Sequence, residues 1–313
     1  MLGIDYNRAS SYPVGYVDYL RMNSLDFEEY LWAMGITDDM IDMLRECFDK
    51  RKVIPTTVHD EMMKYFRSYM AIGGMPEVVA TFVESRDYRI IDKLQRNLLM
   101  GYQYDIGHYA SSEEKIKAEK CYMSLGKQLL DKENYKFQYK EVEKGRRAQK
   151  YFSSIEWLIR ADIVNISRRV TDIRYSLEDY AVSVFFRLYV SDLSLLIAMR
   201  DFELKRFIVE NTIVGDTKGG LYESVIADIL HKNGYELYFY KNDTTRKEID
   251  LLIQKDGYVI PIEVKGGNNT AVSLNSIMKK YPNIDVEYKF IDGNMGVGDN
   301  GVITAPLYAA MFI

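Results

Sequence analysis

Two stretches of strict alternation dominate the last third of the chain. Residues 247 to 254 place Ile249, Leu251 and Ile253 on one side, and residues 258 to 265 do the same with Ile260, Ile262 and Val264. Period-two alternation marks half-buried strands. Between them lies Lys255-Asp256-Gly257. Asp-Gly favours a two-residue turn, because both central residues of that turn take positive φ. With Asp256-Gly257 as the turn, Lys255 pairs with Tyr258, and the ladder sets Asp250 opposite Glu263. Both carboxylates then project from the face without the isoleucines, and Lys265, two residues beyond Glu263, shares that face. A helix over Gly219 to Lys232 and a strand over Tyr235 to Tyr240 precede this hairpin.

Upstream, the hydrophobic spacing becomes helical. Ser24 with Phe27, Tyr30, Leu31 and Met34 reads as a capped amphipathic helix closed by Gly35. Thr37 to Ala110 is helical, with one stripe of Met40, Met43, Leu44 and Phe48 and another of Met62, Phe66 and Met70; both read as core. Glu114 to Val170 suggests a winged-helix-like unit: a helix over Ile116 to Leu130, a second over Gly145 to Arg160, then a strand from Ala161. Arg146, Arg147 and Lys150 fall on the first turns of that second helix, where helix-turn-helix modules meet the major groove. They are candidate nucleic-acid-binding residues; a solvated helix face is the other reading. Residues 215 to 220 read as a loop, Ser273 to Lys280 as a helix, Glu287 to Ile291 and Gly301 to Ile303 as short strands, and Pro306 to Ile313 as a terminal helix or tail. The expected fold class is α/β, α+β overall. A helical region covers 1–112, a winged-helix-like region 113–184, and a mixed sheet flanked by helices 185–313.

Composition adds limits. The 313 residues are 47% hydrophobic and 28% charged, which suits a globular chain with ample core. No run approaches a membrane span, and Met1-Leu2-Gly3-Ile4-Asp5 is not a signal peptide. Cys47 and Cys121 are the two cysteines, which argues against a disulfide framework and fits a cytoplasmic location without a membrane partner. The net charge of −5 is uneven. Lys115 to Arg174 holds 15 Lys and Arg against 8 Asp and Glu, a local +7 within an acidic whole, compatible with local contact to phosphate.

The hairpin carries the candidate chemistry. Directly opposed side chains have Cβ atoms roughly 5 Å apart, and like charges there are destabilising. Lys265 is one way to offset Asp250 and Glu263; a divalent cation is the other. Mg²⁺, or Mn²⁺, takes one or two protein carboxylates and completes its shell with water or phosphate oxygens. Glu223, on the preceding helix, is a third carboxylate in reach. The plainer alternative is a hairpin with a solvated polar face on which Lys265 neutralises Glu263.

The arrangement resembles the restriction-endonuclease-like (PD-(D/E)XK) nuclease core, on Asp250, Glu263-Val264-Lys265 and the helical Glu223. The resemblance implies Asp250 and Glu263 as metal ligands, Lys265 as the catalytic lysine and Glu223 as an accessory carboxylate. Ile249 stands where that family often has proline. Pro261 counts against a central strand here, because proline removes a ladder donor and prefers edge strands. The chain as a whole is similar to the C-terminal part of a bacterial and archaeal family of AAA-type ATPases. Its opening 35 residues are similar to the tail of the ATPase core. Gly73-Gly74-Met75-Pro76-Glu77 resembles the lid motif, and Leu188 to Asp192 with Leu195-Leu196 resembles a later strand-Asp-Leu-Leu segment. Gly-x-x-x-x-Gly-Lys-Ser/Thr is absent from the sequence. The expectation is an ATP site upstream of Met1, with ATP bound only by a longer form carrying a P-loop, and no autonomous ATPase here. The implied function is a Mg²⁺-dependent nuclease-like domain acting on DNA. The alternative is a catalytically inactive scaffold that binds DNA, a protein partner or a second copy.

Overall fold

A computed structural model describes residues 15–16, 18, 20–109, 112–131, 136–144, 150–245, 247–266, 281, 284, 286–297 and 301–313. The chain begins with helices α1 (Phe27–Ala33), α2 (Asp38–Asp49), α3 (Thr56–Ile72), α4 (Pro76–Ser85), α5 (Tyr88–Tyr109), α6 (Ser112–Gln128), α7 (Tyr139–Val142) and α8 (Phe152–Arg160). Strands β1 (Val164–Val170) and β2 (Ala181–Val190) follow, then α9 (Leu193–Ala198), α10 (Phe202–Val209) and α11 (Gly215–Lys232). The chain closes with β3 (Leu237–Lys241), β4 (Glu248–Lys255), β5 (Tyr258–Lys265), β6 (Tyr288–Ile291), β7 (Gly296–Val297), β8 (Ile303–Pro306) and a 3-10 segment, Leu307–Phe312.

Local chemistry explains several boundaries. The cap of α1 is Asp26 rather than Ser24: its carboxylate accepts from the Glu29 N–H while Glu29 reaches back to the Asp26 N–H, a reciprocal capping box. Ser24 instead donates to Asp192, 168 residues away, at 2.5 Å. Pro76 opens α4, where its missing N–H has no helical partner to lose. The loop expected over 215–220 is the first turn of α11, which therefore starts four residues earlier than the pattern suggested.

The eight strands form one mixed sheet in the order β2-β1-β3-β4-β5-β6-β8-β7. Of the two helices and the strand anticipated for a winged-helix-like unit, α6, α8 and β1 occupy those places, with α7 between the helices; α8 starts at Phe152, so Lys150 precedes it, and β1 pairs with β2 and also, in parallel, with β3. The hairpin thus extends the central sheet, and the boundary anticipated at 184/185 falls inside β2.

The β4–β5 hairpin has the register read from the sequence: Lys255 faces Tyr258 and Leu251 faces Ile262. Asp256 at φ 50° and Gly257 at φ 86° are both left-handed, as the tight turn requires. Pro261 faces Leu252, a non-hydrogen-bonded position by the alternation of the ladder, and pairing with β6 begins only at Ile262. The proline therefore removes no bond.

One face of the sheet shares a core with the helices. Phe27, Phe66 and Ile91 from the helical layer belong to the same hydrophobic cluster as Val225 on α11 and Ile262 on β5. The 3-10 segment is a plug in that core: the Phe312 ring packs against Phe48 at a tilt, centroids 5.7 Å apart, and Tyr308 bonds His59 Nδ1 at 3.1 Å. A smaller core on the other face gathers Val170, Leu177, Tyr240, Ile249, Leu252 and Val259.

Candidate cation site on the central hairpin

Ile249 sits in the second core, whereas Leu251 and Ile253 sit in the first. The single face anticipated for the three is therefore broken. The reason is a register shift in the β3–β4 ladder. Tyr238 faces Leu252, but Tyr240 faces Ile249, so β4 fits one extra residue between them. Such a bulge bends a strand and re-aims a side chain. Asp250 lies within it. Its carboxylate Oδ2 accepts from the Val264 N–H at 2.8 Å, so it reaches across to the strand that carries Glu263 and Lys265.

On β5, Ile262 and Val264 face the first core, which turns Glu263 and Lys265 to the other side. The Lys265 ammonium lies 2.6 Å from Glu263 Oε1. Burial pushes that ammonium down, but the adjacent Asp250 and Glu263 charges outweigh it and hold Lys265 above its ordinary value. Asp250 and Glu263 are both buried, each about 5% exposed. The hairpin thus brings together three of the four anticipated catalytic residues, the Asp250 and Glu263 carboxylates and the Lys265 ammonium.

Glu223 is held differently. Its Oε1 accepts from Arg187 Nη1 at 2.8 Å and from the Tyr189 hydroxyl at 2.7 Å. Arg187 on β2 also donates to the Asp250 carbonyl at 3.0 Å and pairs with Glu248. Its guanidinium lies over the Phe239 ring, 4.5 Å from the centroid. Burial opposes this charge, but Glu223 and the other acids around it hold Arg187 above its ordinary pKa. Glu223 therefore anchors the arginine that holds the bulge, and it meets Asp250 through that arginine.

Two further groups flank the site on β6 and just before it. Lys289 pairs with Glu263 across the parallel ladder, and burial lowers its pKa. Glu287 is fully buried, and neither carboxylate oxygen has a hydrogen-bond partner among the described residues. Burial, with Glu263 adding to it, pushes its carboxyl up to about 8.

Among the described residues, no group of three or more histidine, cysteine, aspartate or glutamate side chains could hold a metal ion. The donor set is the two carboxylates Asp250 and Glu263. Hard oxygen donors in that number suit Mg²⁺ or Mn²⁺, which keep several waters, and do not suit zinc. Arg187, Lys241 and Lys265 stand against Glu223, Glu248, Asp250 and Glu263. Among the described residues, that leaves one negative charge in excess, for Lys289 or a divalent cation to balance.

Of the candidate nucleic-acid-binding residues, Arg146 and Arg147 lie outside the described residues. Lys150 is exposed and pairs with Glu143 at 3.2 Å, beside the Tyr151 ring. Sequence reasoning missed Arg187, Glu248, Glu287 and Lys289. Arg187 had a signal: it is a lone charge inside the apolar run Val184 to Val190.

Residues 218–308 match the family described as domain of unknown function DUF4143. This domain is often found in AAA ATPase-associated proteins. Residues 63–206 match a second, uncharacterised family, domain of unknown function DUF8612. No curated protein and no solved structure matches the chain. The first match spans α11 through β8 and so contains the whole hairpin site except Arg187 and Tyr189. No helix among the described residues is long and apolar enough to cross a membrane.

Proposed function

We propose that the central hairpin is a Mg²⁺- or Mn²⁺-dependent phosphodiesterase site acting on DNA, in a chain that forms the C-terminal portion of a cytoplasmic AAA-type ATPase family protein. The observation that carries this reading is Asp250 at its bulge, reaching Val264 beside Glu263 and Lys265. Asp250 and Glu263 would hold the cation. When bound, it would supply a nucleophilic water and polarise a phosphate. The chain's own residues do the rest. Lys265 orients the water or stabilises charge developing on phosphate, because its ammonium stays protonated between two acids. Arg187 fixes the bulge from below, and Glu223 fixes Arg187.

The test compares wild type with Lys265→Ala on DNA and RNA, with and without Mn²⁺. Mn²⁺-dependent DNA cleavage that falls on the order of 100-fold in the variant is expected. Calorimetric titration with Mn²⁺ should also show binding that Glu263→Ala abolishes. Cleavage unchanged by Lys265→Ala would sink the reading.

One observation favours the alternative, a nuclease-fold scaffold that binds DNA or protein. Lys265 already sits on Glu263, and Arg187 already neutralises Glu223. Under that reading wild type neither cuts nor binds Mn²⁺.

A further inference from the structure

Three charged side chains meet where the helical layer joins the last turns of α11. Asp228 and Lys232 lie one turn apart on α11, and the Lys232 ammonium sits 2.8 Å from Asp228 Oδ2 and 3.3 Å from Asp192 Oδ2. All three side chains are 3% exposed or less. Among the described residues, Lys232 is the cation that both acids pair with. Two carboxylates thus share one ammonium away from water. With both ionised, one negative charge is left uncompensated in the interior, where such a charge is costly.

The two acids are not equivalent. Asp192 accepts from the Ser24 hydroxyl, the Gly74 N–H at 2.9 Å and the Ser194 N–H at 2.7 Å. Hydrogen bonds of that kind favour the charged form. Asp228 has no such set. Its Oδ2 meets Lys232 and, at 3.5 Å, the Tyr69 hydroxyl, while its Oδ1 is buried with no partner among the described residues. A proton taken up by the pair therefore belongs on Asp228. Burial pushes the Asp228 carboxyl up to about 7; Asp192 adds to this, and Lys232 and Tyr69 oppose it.

The other groups around the cluster do not supply the missing charge. Tyr69 on α3 accepts from Lys232 at 3.0 Å, and burial holds its hydroxyl well above the ordinary value. The Leu25 carbonyl, ahead of α1, accepts from Lys232 at 3.1 Å. Tyr102 on α5 and Tyr122 on α6 face Asp192 and are likewise raised by burial. His231, beside Lys232, is driven down to about 4 by burial, with Arg21 adding to it, so its ring is neutral at physiological pH. Arg21 is itself bidentate to Asp162.

We propose that Asp228 is the proton-bearing member of a pH-sensitive latch between α11 and the helical layer. Protonated, it leaves a balanced Lys232–Asp192 pair, which holds the α3–α4 turn through Gly74, α9 through Ser194 and the lead into α1 through Ser24 and Leu25. Ionised, it loads the joint with an unbalanced buried charge and loosens that grip. An acid whose pKa is raised by folding contributes fully at low pH, and the contribution is lost as pH rises through the folded value. The latch therefore weakens toward neutral pH and is weakest above it. It is separate from the hairpin and does not rest on the phosphodiesterase reading.

The experiment compares urea unfolding of the full chain with that of Asp228→Asn from pH 5 to pH 9. Glu287 is present in both proteins, so its own titration cancels. The unfolding constant of wild type relative to the variant is expected to rise about tenfold per pH unit from pH 5 and to level off above pH 7. Amide exchange in α3 and α9, taken as the ratio of the two proteins at each pH so that base catalysis cancels, should follow the same curve. In wild type carrying ¹³C at its aspartate carboxyls, one resonance should titrate near pH 7 and be missing from the variant. Should Asp228→Asn not fold, the wild-type carboxyl titration decides by itself. Parallel unfolding profiles, or no aspartate midpoint above pH 6, overturn the proposal.

Discussion

Arg187 is the residue through which the helix, the edge hairpin and the bulge meet. It is buried with Glu223 on one side, Glu248 on another and the Asp250 carbonyl between them. Removing one partner from a buried ion pair leaves an uncompensated charge, at about 3–5 kcal/mol. Arg187→Met should therefore destabilise the fold by about that much in urea unfolding, and adding Glu223→Gln should recover part of the loss. A merely additive double variant would contradict the coupling. Glu287 makes a different prediction. Its folded pKa, about 8, is raised above the ordinary carboxyl value. Its contribution is therefore complete at low pH and is lost as pH rises through the folded value. Between pH 5 and 8, wild type should lose stability relative to Glu287→Gln, by up to about 1 kcal/mol per pH unit. Parallel urea midpoints across that range would refute it. At this scale the sequence was legible where residues are neighbours on a hairpin: spacing alone placed Asp250, Glu263 and Lys265 close together. Arg187 and Glu287 were not, because each acquires its role from strands 63 and 24 residues away, at Asp250 and Glu263.

Among the elements, the junction between α3 and α4 explains the Gly73-Gly74 pair. Gly74 donates its N–H to Asp192 at 2.9 Å, and Asp192 also caps α9 through the Ser194 N–H at 2.7 Å. A Cβ at Gly74 would lie 1.9 Å from the Leu25 carbonyl oxygen, and one at Gly73 would lie 2.3 Å from the Ser194 nitrogen. Gly73 is also left-handed, at φ 74°. The two segments singled out as motif-like, 118 residues apart from Gly74 to Asp192, are thus the two halves of one joint, with Lys232 of α11 closing it on Asp192. Gly74→Ala should lower the thermal midpoint sharply, by the equivalent of about 3 kcal/mol or more. Gly101→Ala, inside α5 with nothing within 4 Å of its Cβ, should raise stability by about 0.5–1 kcal/mol. Equal responses from the two would show that propensity, not close approach, governs both positions.

For the molecule as a whole, the helical layer, α11 and one sheet face share a single hydrophobic cluster from Phe27 to Ile313. Such a core should unfold in one step. Trp32 lies in α1 and Trp157 in α8, so variants retaining one tryptophan each report from separate elements. Their fluorescence transitions should coincide; separated midpoints would show that the helical layer melts on its own. By itself, the sequence determined the two alternating strands, the turn at Asp256-Gly257, and hence the register of the hairpin from Lys255–Tyr258 to Leu251–Ile262, because these follow from steric rules acting over a few residues. The tertiary structure decided what lies between distant segments. It set the β1–β2 hairpin into the central sheet, inserted the bulge that sends Ile249 to the opposite core from Leu251, and drove Arg187 between Glu223 and Glu248. Burial and charge compensation depend on which strands become neighbours, and no local pattern carries that information.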